Sequence, residues 1–247
     1  MATDRRGLVA GLSAAAALAA CQKKPEQGAA ARAAAGALHC FVAEAGGVGT
    51  SGFMVGMLTC RDPAAQLAAL KELRRRTGFR TAFSAGSTNR YKLLYAQPAF
   101  RRLAEDAGLG AVGVAFAFPG WEGRSRAQRR AAHEAAYRAL AAAVPAADRA
   151  GAVAHLTGRS SDQASDARLA AALRQSIGGA ALDGARYADL MQLAAALFGT
   201  VRYAASGGRS RVKLKTVDAL KTALGVGQLD AASLGRTGKV AISSMQG

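Results

Sequence analysis

The side chains best able to do chemistry in this chain are its cations. Between Lys71 and Arg130 there are 13 Lys and Arg against four acids, a local excess of +9. From Arg202 to Lys239 there are eight against two, an excess of +6. Clustered cations contact phosphate oxygens in a salt-sensitive way that is largely blind to base sequence. Arg74, Arg75, Arg76, Lys92, Arg126, Arg129, Arg130, Arg209, Arg211, Lys213 and Lys215 are the candidate polyanion contacts. In Arg209-Ser210-Arg211-Val212-Lys213-Leu214-Lys215 every second residue is basic, and an extended segment would bring all four cations to one side. Tyr91, Tyr95 and Trp121 are the aromatic residues near these stretches that could stack on bases.

Other chemistry has less support. Gly47-Val48-Gly49-Thr50-Ser51-Gly52 fits a dinucleotide fingerprint on paper, with Glu72 following 20 residues later. That fingerprint needs a helix opening at its third glycine, whereas Phe53-Met54-Val55 reads as strand, so a hairpin turn is the expectation. The first Lys after this loop is Lys71, so it is not a P-loop either. His133-Glu134 lacks a second histidine four residues on and reads as a solvated helix face. His39 and His155 stand alone in predicted strands, where core or rim packing is expected. Cys40 and Cys60 lie at the outer ends of a predicted hairpin, either paired across strands or as two buried thiols. Three cysteines and three histidines are too few for a zinc framework, and no nucleophile-elbow pattern is present.

The elements that must carry these residues follow from pattern and punctuation. The chain has 247 residues, 51% of them hydrophobic, and a net charge of +17, enough for one domain with a substantial core. No apolar run reaches the roughly 20 residues that a spanning helix needs. Residues 1–20 read as an export signal: Arg5 and Arg6, then the uncharged stretch Gly7 to Ala20. The paired arginines resemble a twin-arginine signal. Leu18-Ala19-Ala20-Cys21 resembles a bacterial lipobox, which would make Cys21 the lipidated residue of an envelope or periplasmic protein; a cytoplasmic protein with an Ala-rich first helix is the alternative. Residues 21–36 read as a flexible tether, 37–226 as the folded body and 227–247 as a C-terminal tail.

Within the body, Leu38 to Glu44 and Gly52 to Cys60 form a predicted hairpin. Asp62-Pro63 starts a helix with Leu67, Leu70 and Leu73 inside, and Gly78 ends it. Phe79 to Ser84 is a candidate third strand and Pro98 to Asp106 a helix. Ala111 to Phe118 is a buried strand, Ser125 to Ala143 a long helix and Gly151 to Leu156 a short strand. Helices are expected over Asp166 to Gln175, Arg186 to Ala204 and Lys215 to Leu224. Strands first, then helices alternating with strands, give an α/β fold with a mixed sheet covered by helices.

Phe41-Val42-Ala43-Glu44-Ala45-Gly46 followed by Gly52-Phe53-Met54-Val55-Gly56, together with Gln192-Leu193-Ala194-Ala195-Ala196-Leu197-Phe198-Gly199, resembles the family called "domain of unknown function 3800". Asn89-Arg90-Tyr91-Lys92 and the closing helix to Leu224 add to the resemblance, which covers roughly residues 37–226. It implies a ribonuclease-H-like fold in which converging carboxylates hold two divalent cations. Where the family carries its first Asp and its late-helix Asp, this chain has Ala43 and Ala195, and the stretch His155-Leu156-Thr157-Gly158 also lacks the acid expected there. Glu44 alone is retained. One carboxylate does not anchor two Mg²⁺ ions, and Asp189, six residues before Ala195, is some 9 Å away along a helix.

The reading that follows is a catalytically inactive relative of ribonuclease-H-like nucleases, without cofactor, that binds polyanions such as nucleic acid. One alternative is an exported lipoprotein whose basic face rests on anionic membrane or cell wall. Another is a Mg²⁺-dependent nuclease or hydrolase that combines Glu44 with Asp162, Asp166 or Asp189.

Overall fold

A computed structural model describes residues 36–46, 52–83, 90–117, 123–157 and 163–246. Its strands are β1 (His39–Ala45), β2 (Gly52–Cys60), β3 (Leu109–Ala117), β4 (Val153–His155), β5 (Gly179–Ala181) and β6 (Val240–Gln246). They form one mixed sheet in the order β5-β4-β1-β2-β3-β6. β1, β2 and β3 are antiparallel neighbours, while β4 and β5 run parallel to β1, and β6 parallel to β3.

The helices are α1 (Pro63–Thr77), α2 (Arg90–Glu105), α3 (Arg126–Ala142), α4 (Ala146–Arg149), α5 (Gln163–Arg174), α6 (Ala188–Ala205), α7 (Arg211–Leu224) and α8 (Ala231–Arg236). The chain is α/β with a mixed sheet covered by helices. α1, α2, α6, α7 and α8 enclose a core on the face shown by Phe41, Ala43 and Leu58. α3 and α5 cover the other face, shown by Cys40, Val42 and Val55. No helix among the described residues is long and apolar enough to cross a membrane.

Local signals explain the clearest elements. The Asp62 carboxylate caps α1 by accepting from the Ala65 amide, Pro63 stands in its first turn, and Gly78 closes it at φ 66°. Ser125 and Gln128 form a reciprocal capping box at the start of α3. Ala195, Phe198 and Val201 follow the three-residue step of α6 inward from the cavity wall to the core.

Several elements differ from expectation. Residues 79–83 are not a strand: Phe79 and Phe83 are buried with Tyr95, and side chains occupy the backbone groups a ladder would use. Arg74 donates to the Thr81 carbonyl at 2.8 Å, and the Phe83 amide donates to Gln192 at 2.7 Å. α2 begins at Arg90 and runs through Pro98. The buried set Tyr95, Ala96, Ala99, Phe100 and Leu103 holds it. The carbonyl that Pro98 leaves without a donor belongs to Leu94, which is half exposed, so water can serve it. Residues 209–215 are not extended. Thr216, Val217, Ala219 and Leu220 face the core at helical spacing, and α7 starts at Arg211. The stretch 227–247 is no tail: the Asp230 carboxylate caps α8, and β6 completes the sheet beside β3. Residues 1–20, with Cys21 and the tether up to residue 35, lie outside the described residues, as does the loop 47–51.

Candidate functional site

β4 pairs with β1 only as far as Phe41 and His155. Beyond that point β1 keeps only β2 as its neighbour, and a cavity of about 400 Å³ opens between its free side and the starts of α5 and α6. Ala43, Glu44, Asp166, Gln192 and Ala195 are among its walls. The positions singled out by the family resemblance therefore meet at one place, at the carboxyl ends of the parallel strands, where ligands of α/β sheets are bound.

The sheet's period of two puts Ala43 on the α6 side and Glu44 on the α3 side. The Glu44 side chain is 13% exposed. Its Oε1 accepts from His133 Nε2 at 2.7 Å and from Tyr137 Oη at 2.6 Å. His133 and Tyr137 stand four residues apart on α3, one turn, so they reach the same atom. His133 is therefore buried and not on a solvated face. The repeat His133, Ala136, Tyr137, Leu140, Ala141 at three- and four-residue steps carried that signal in the sequence.

Asp166 is buried in the first turn of α5, where the helix dipole favours a carboxylate, and it borders the same cavity. Asp189 does not. Its Oδ1 accepts from Arg74 Nε at 2.5 Å, and Arg74 Nη2 also donates to Gln192 at 2.6 Å. Asp162 lies outside the described residues.

Two divalent cations would need several free carboxylate oxygens in one place. Among the described residues the cavity offers Glu44, with one oxygen already accepting two hydrogen bonds, and Asp166. No group of three or more His, Cys, Asp or Glu among the described residues is placed to hold a metal. This donor set does not fit a two-metal centre. It forms instead a small polar network in which the Glu44 carboxylate fastens β1 to α3. Glu44→Ala would leave a buried imidazole N–H and a phenol without their acceptor. The expected loss is on the order of 2–3 kcal/mol in a urea melt, against little change for Arg138→Ala on the exposed side of α3.

The candidate polyanion contacts divide sharply. Arg74 is unavailable: it is packed 5.0 Å from the Phe79 and Tyr95 ring centres and committed to Asp189. Arg75 and Arg76 are exposed but share the Glu72 carboxylate, whose hydrogen bonds from both hold its pKa at about 2. Lys92 is 2% exposed, and burial together with nearby Lys213 brings its pKa to about 8. Its Nζ lies 6.0 Å from the Phe83 ring centre, and Phe83 lines the cavity. Arg129 is half buried and donates to the Arg124 carbonyl. Lys213 lies 5.1 Å over the Tyr203 ring.

Arg126, Arg130, Arg209, Arg211 and Lys215 are exposed and form no ion pair among the described residues. Arg211 and Lys215 share a face because they are one helical turn apart, not through strand alternation. Tyr95 is buried and cannot stack on a base. The Tyr91 side chain and Trp121 lie outside the described residues.

Cys40 and Cys60 are free, buried thiols. Cys40 is opposite Thr59, and Cys60 is opposite His39, so the two sulfurs project from opposite faces of the sheet. Burial pushes both thiols up to about 12, far from the reactive thiolate. A second histidine group, His39 with His155 and Asp183, was not legible as a unit, because its members come from β1, β4 and the turn after β5. Compared with protein-family models, with curated proteins and with solved structures, the chain matches none.

Proposed function

We propose that the chain is a ribonuclease-H-like domain that has lost its metal-binding acids and serves as a polyanion-binding module, with nucleic acid as the first partner to test. Support for the fold comes from the N-terminal hairpin, the mixed sheet with helices on both faces, and the meeting of residues 43, 44 and 195 at one cavity. Support for the loss of catalysis comes from the two alanines there and from the commitment of Glu44 to His133 and Tyr137.

The observation that carries the binding role is the placement, at two helix starts, of cations that have no ion pair among the described residues. α3 and α7 have no acid in their first turns. Arg126, Arg130, Arg209, Arg211 and Lys215 crowd there instead, where the helix dipole is already positive. Folding gains nothing from that arrangement, whereas a bound phosphate would relieve it. α3 starts after the carboxyl end of β3. α7 leads through α8 into the start of β6, so it too begins at the strands' carboxyl edge. Both clusters therefore flank the edge where the cavity opens.

The test is the mobility shift of labelled single-stranded and duplex DNA over a salt series. Five phosphate contacts predict a slope of log affinity on log salt of about −3 to −5. Arg209→Glu, Arg211→Glu and Lys215→Glu together are expected to flatten it by about 2 to 3. No shift at low salt, or an unchanged slope in the triple variant, contradicts the reading.

A further inference from the structure

A chain of three titratable groups crosses the sheet away from the cavity's acids. His155 Nδ1 donates to Asp183 Oδ1 at 2.8 Å, and His155 Nε2 lies 2.9 Å from His39 Nδ1. The two imidazole planes are within 10° of each other and their centres are 5.2 Å apart. With the nitrogens 2.9 Å apart, the rings meet edge to edge, not face to face. Their two nitrogen positions point at one another, which leaves room for a proton and none for a metal ion.

We propose that Asp183, His155 and His39 form a shared-proton latch that ties β1 and β4 to the turn leading into α6, and that this latch opens when acid loads the rings beyond what the contact can hold. Proton counting sets the limit. Asp183 keeps a proton on His155 Nδ1, so one proton lies between the rings. A first added proton is accommodated on the outer nitrogen of His39 with the contact intact. A second must enter between the rings, where two N–H groups would then face each other at 2.9 Å, and the contact breaks.

The groups facing the pair come from every neighbouring element. Cys60 is opposite His39 on β2. Tyr187 packs 4.4 Å from His155, and Arg186 lies over the Tyr187 ring at 5.8 Å. Phe41 packs at 5.1 Å from His155. His155 is buried, while the Asp183 side chain is 37% exposed and His39 is half buried, so both ends of the chain reach solvent. Burial, then the His155 charge, holds His39 below its ordinary value, against the opposing pull of Asp183. A histidine held neutral in this way stabilises the fold above its unfolded pKa of about 6.5, and that contribution is lost as the pH falls through the lowered folded value.

The latch lies beside two backbone bonds: the Leu156 amide to the Ala181 carbonyl at 2.9 Å, and the Gly184 amide to the Leu156 carbonyl at 2.8 Å. Leu156 and Thr157 wall the cavity, so its opening would loosen that wall. This inference does not depend on polyanion binding.

Amide hydrogen exchange of the full chain at pH 7 and pH 4.5, corrected for intrinsic rates, tests it. Protection at Leu156 and Gly184 is expected to fall at least tenfold in the wild type. It should hold in His39→Asn, whose amide still donates to His155 but takes up no proton. Unchanged protection in the wild type, or an equal fall in His39→Asn, would overturn the proposal. Imidazole ¹⁵N shifts of the wild-type protein provide a second measurement that needs no variant. His155 Nδ1 is expected to carry its proton at neutral pH, and His39 to take up a proton only below the ordinary histidine value. A His155 Nδ1 without a proton at pH 7, or His39 taking up its proton at the ordinary value, would overturn it.

Discussion

Phe198→Ala is expected to cost about 3–5 kcal/mol of stability, the range for emptying a buried aromatic site. The ring is fully buried beneath α6, and it lies on a floor made by two glycines on neighbouring strands, Gly56 and Gly113. A Cβ at Gly56 would come within 2.3 Å of the ring, and one at Gly113 within 2.8 Å. The sheet has thus given up two side chains to admit one aromatic ring. A floor of two glycines leaves flanking groups such as Ile242 to move into the space when the ring is removed, so most of the cavity stays. Urea denaturation measures the loss. A change below about 1 kcal/mol would mean that α6 does not seat on the sheet in this way. Gly56→Ala should be damaging from the opposite side, because its methyl would strike the ring. Since α6 carries Ala195 and Gln192 to the cavity, the same packing positions the candidate site.

Much of the fold was legible in the sequence where one local signal acted alone. Asp62-Pro63 and Gly78 bounded α1, and the two apolar runs around the glycine loop gave β1 and β2. Legibility failed where two signals competed. In residues 209–215 the alternation of charge suggested an extended strand, but the apolar step through Val217 and Leu220 governs the backbone. Phe79 to Phe83 has strand-like composition, yet Arg74 and Gln192 occupy its backbone groups. β6 was missed because Val240, Ala241, Ile242 and Ser243 form a short, weak alternation that only β3 makes into a strand.

The candidate site was legible in part. Ala43, Glu44 and Ala195 were brought together by resemblance, and the structure places them around one cavity. The partners of Glu44 were not legible, since His133 and Tyr137 lie about 90 residues away and are aligned only by the packing of α3 on the sheet. For the same reason the basic residues could be counted but not sorted: sequence does not tell that Arg74 is spent on Asp189 while Arg211 has no ion pair among the described residues.

With His133 and Tyr137 donating to Glu44, and with alanine at 43 and 195, the described residues of the cavity supply the carboxylates of Glu44 and Asp166 toward the several oxygen ligands that hard divalent ions require. Adding to those carboxylates should therefore change its behaviour. Ala43→Asp with Ala195→Asp adds two carboxylates to walls that already hold Glu44 and Asp166, and Mn²⁺ affinity is expected to rise at least tenfold, about 1.4 kcal/mol. Calorimetric titration of Mn²⁺ into the wild-type protein and the double variant, with DNA cleavage assayed on the same samples, is the most direct test. Weak, unsaturated Mn²⁺ uptake and no cleavage by the wild type, with clear saturable binding by the double variant, is the predicted result. Saturable binding of two Mn²⁺ ions by the wild type, or wild-type cleavage abolished by Glu44→Gln, would contradict it.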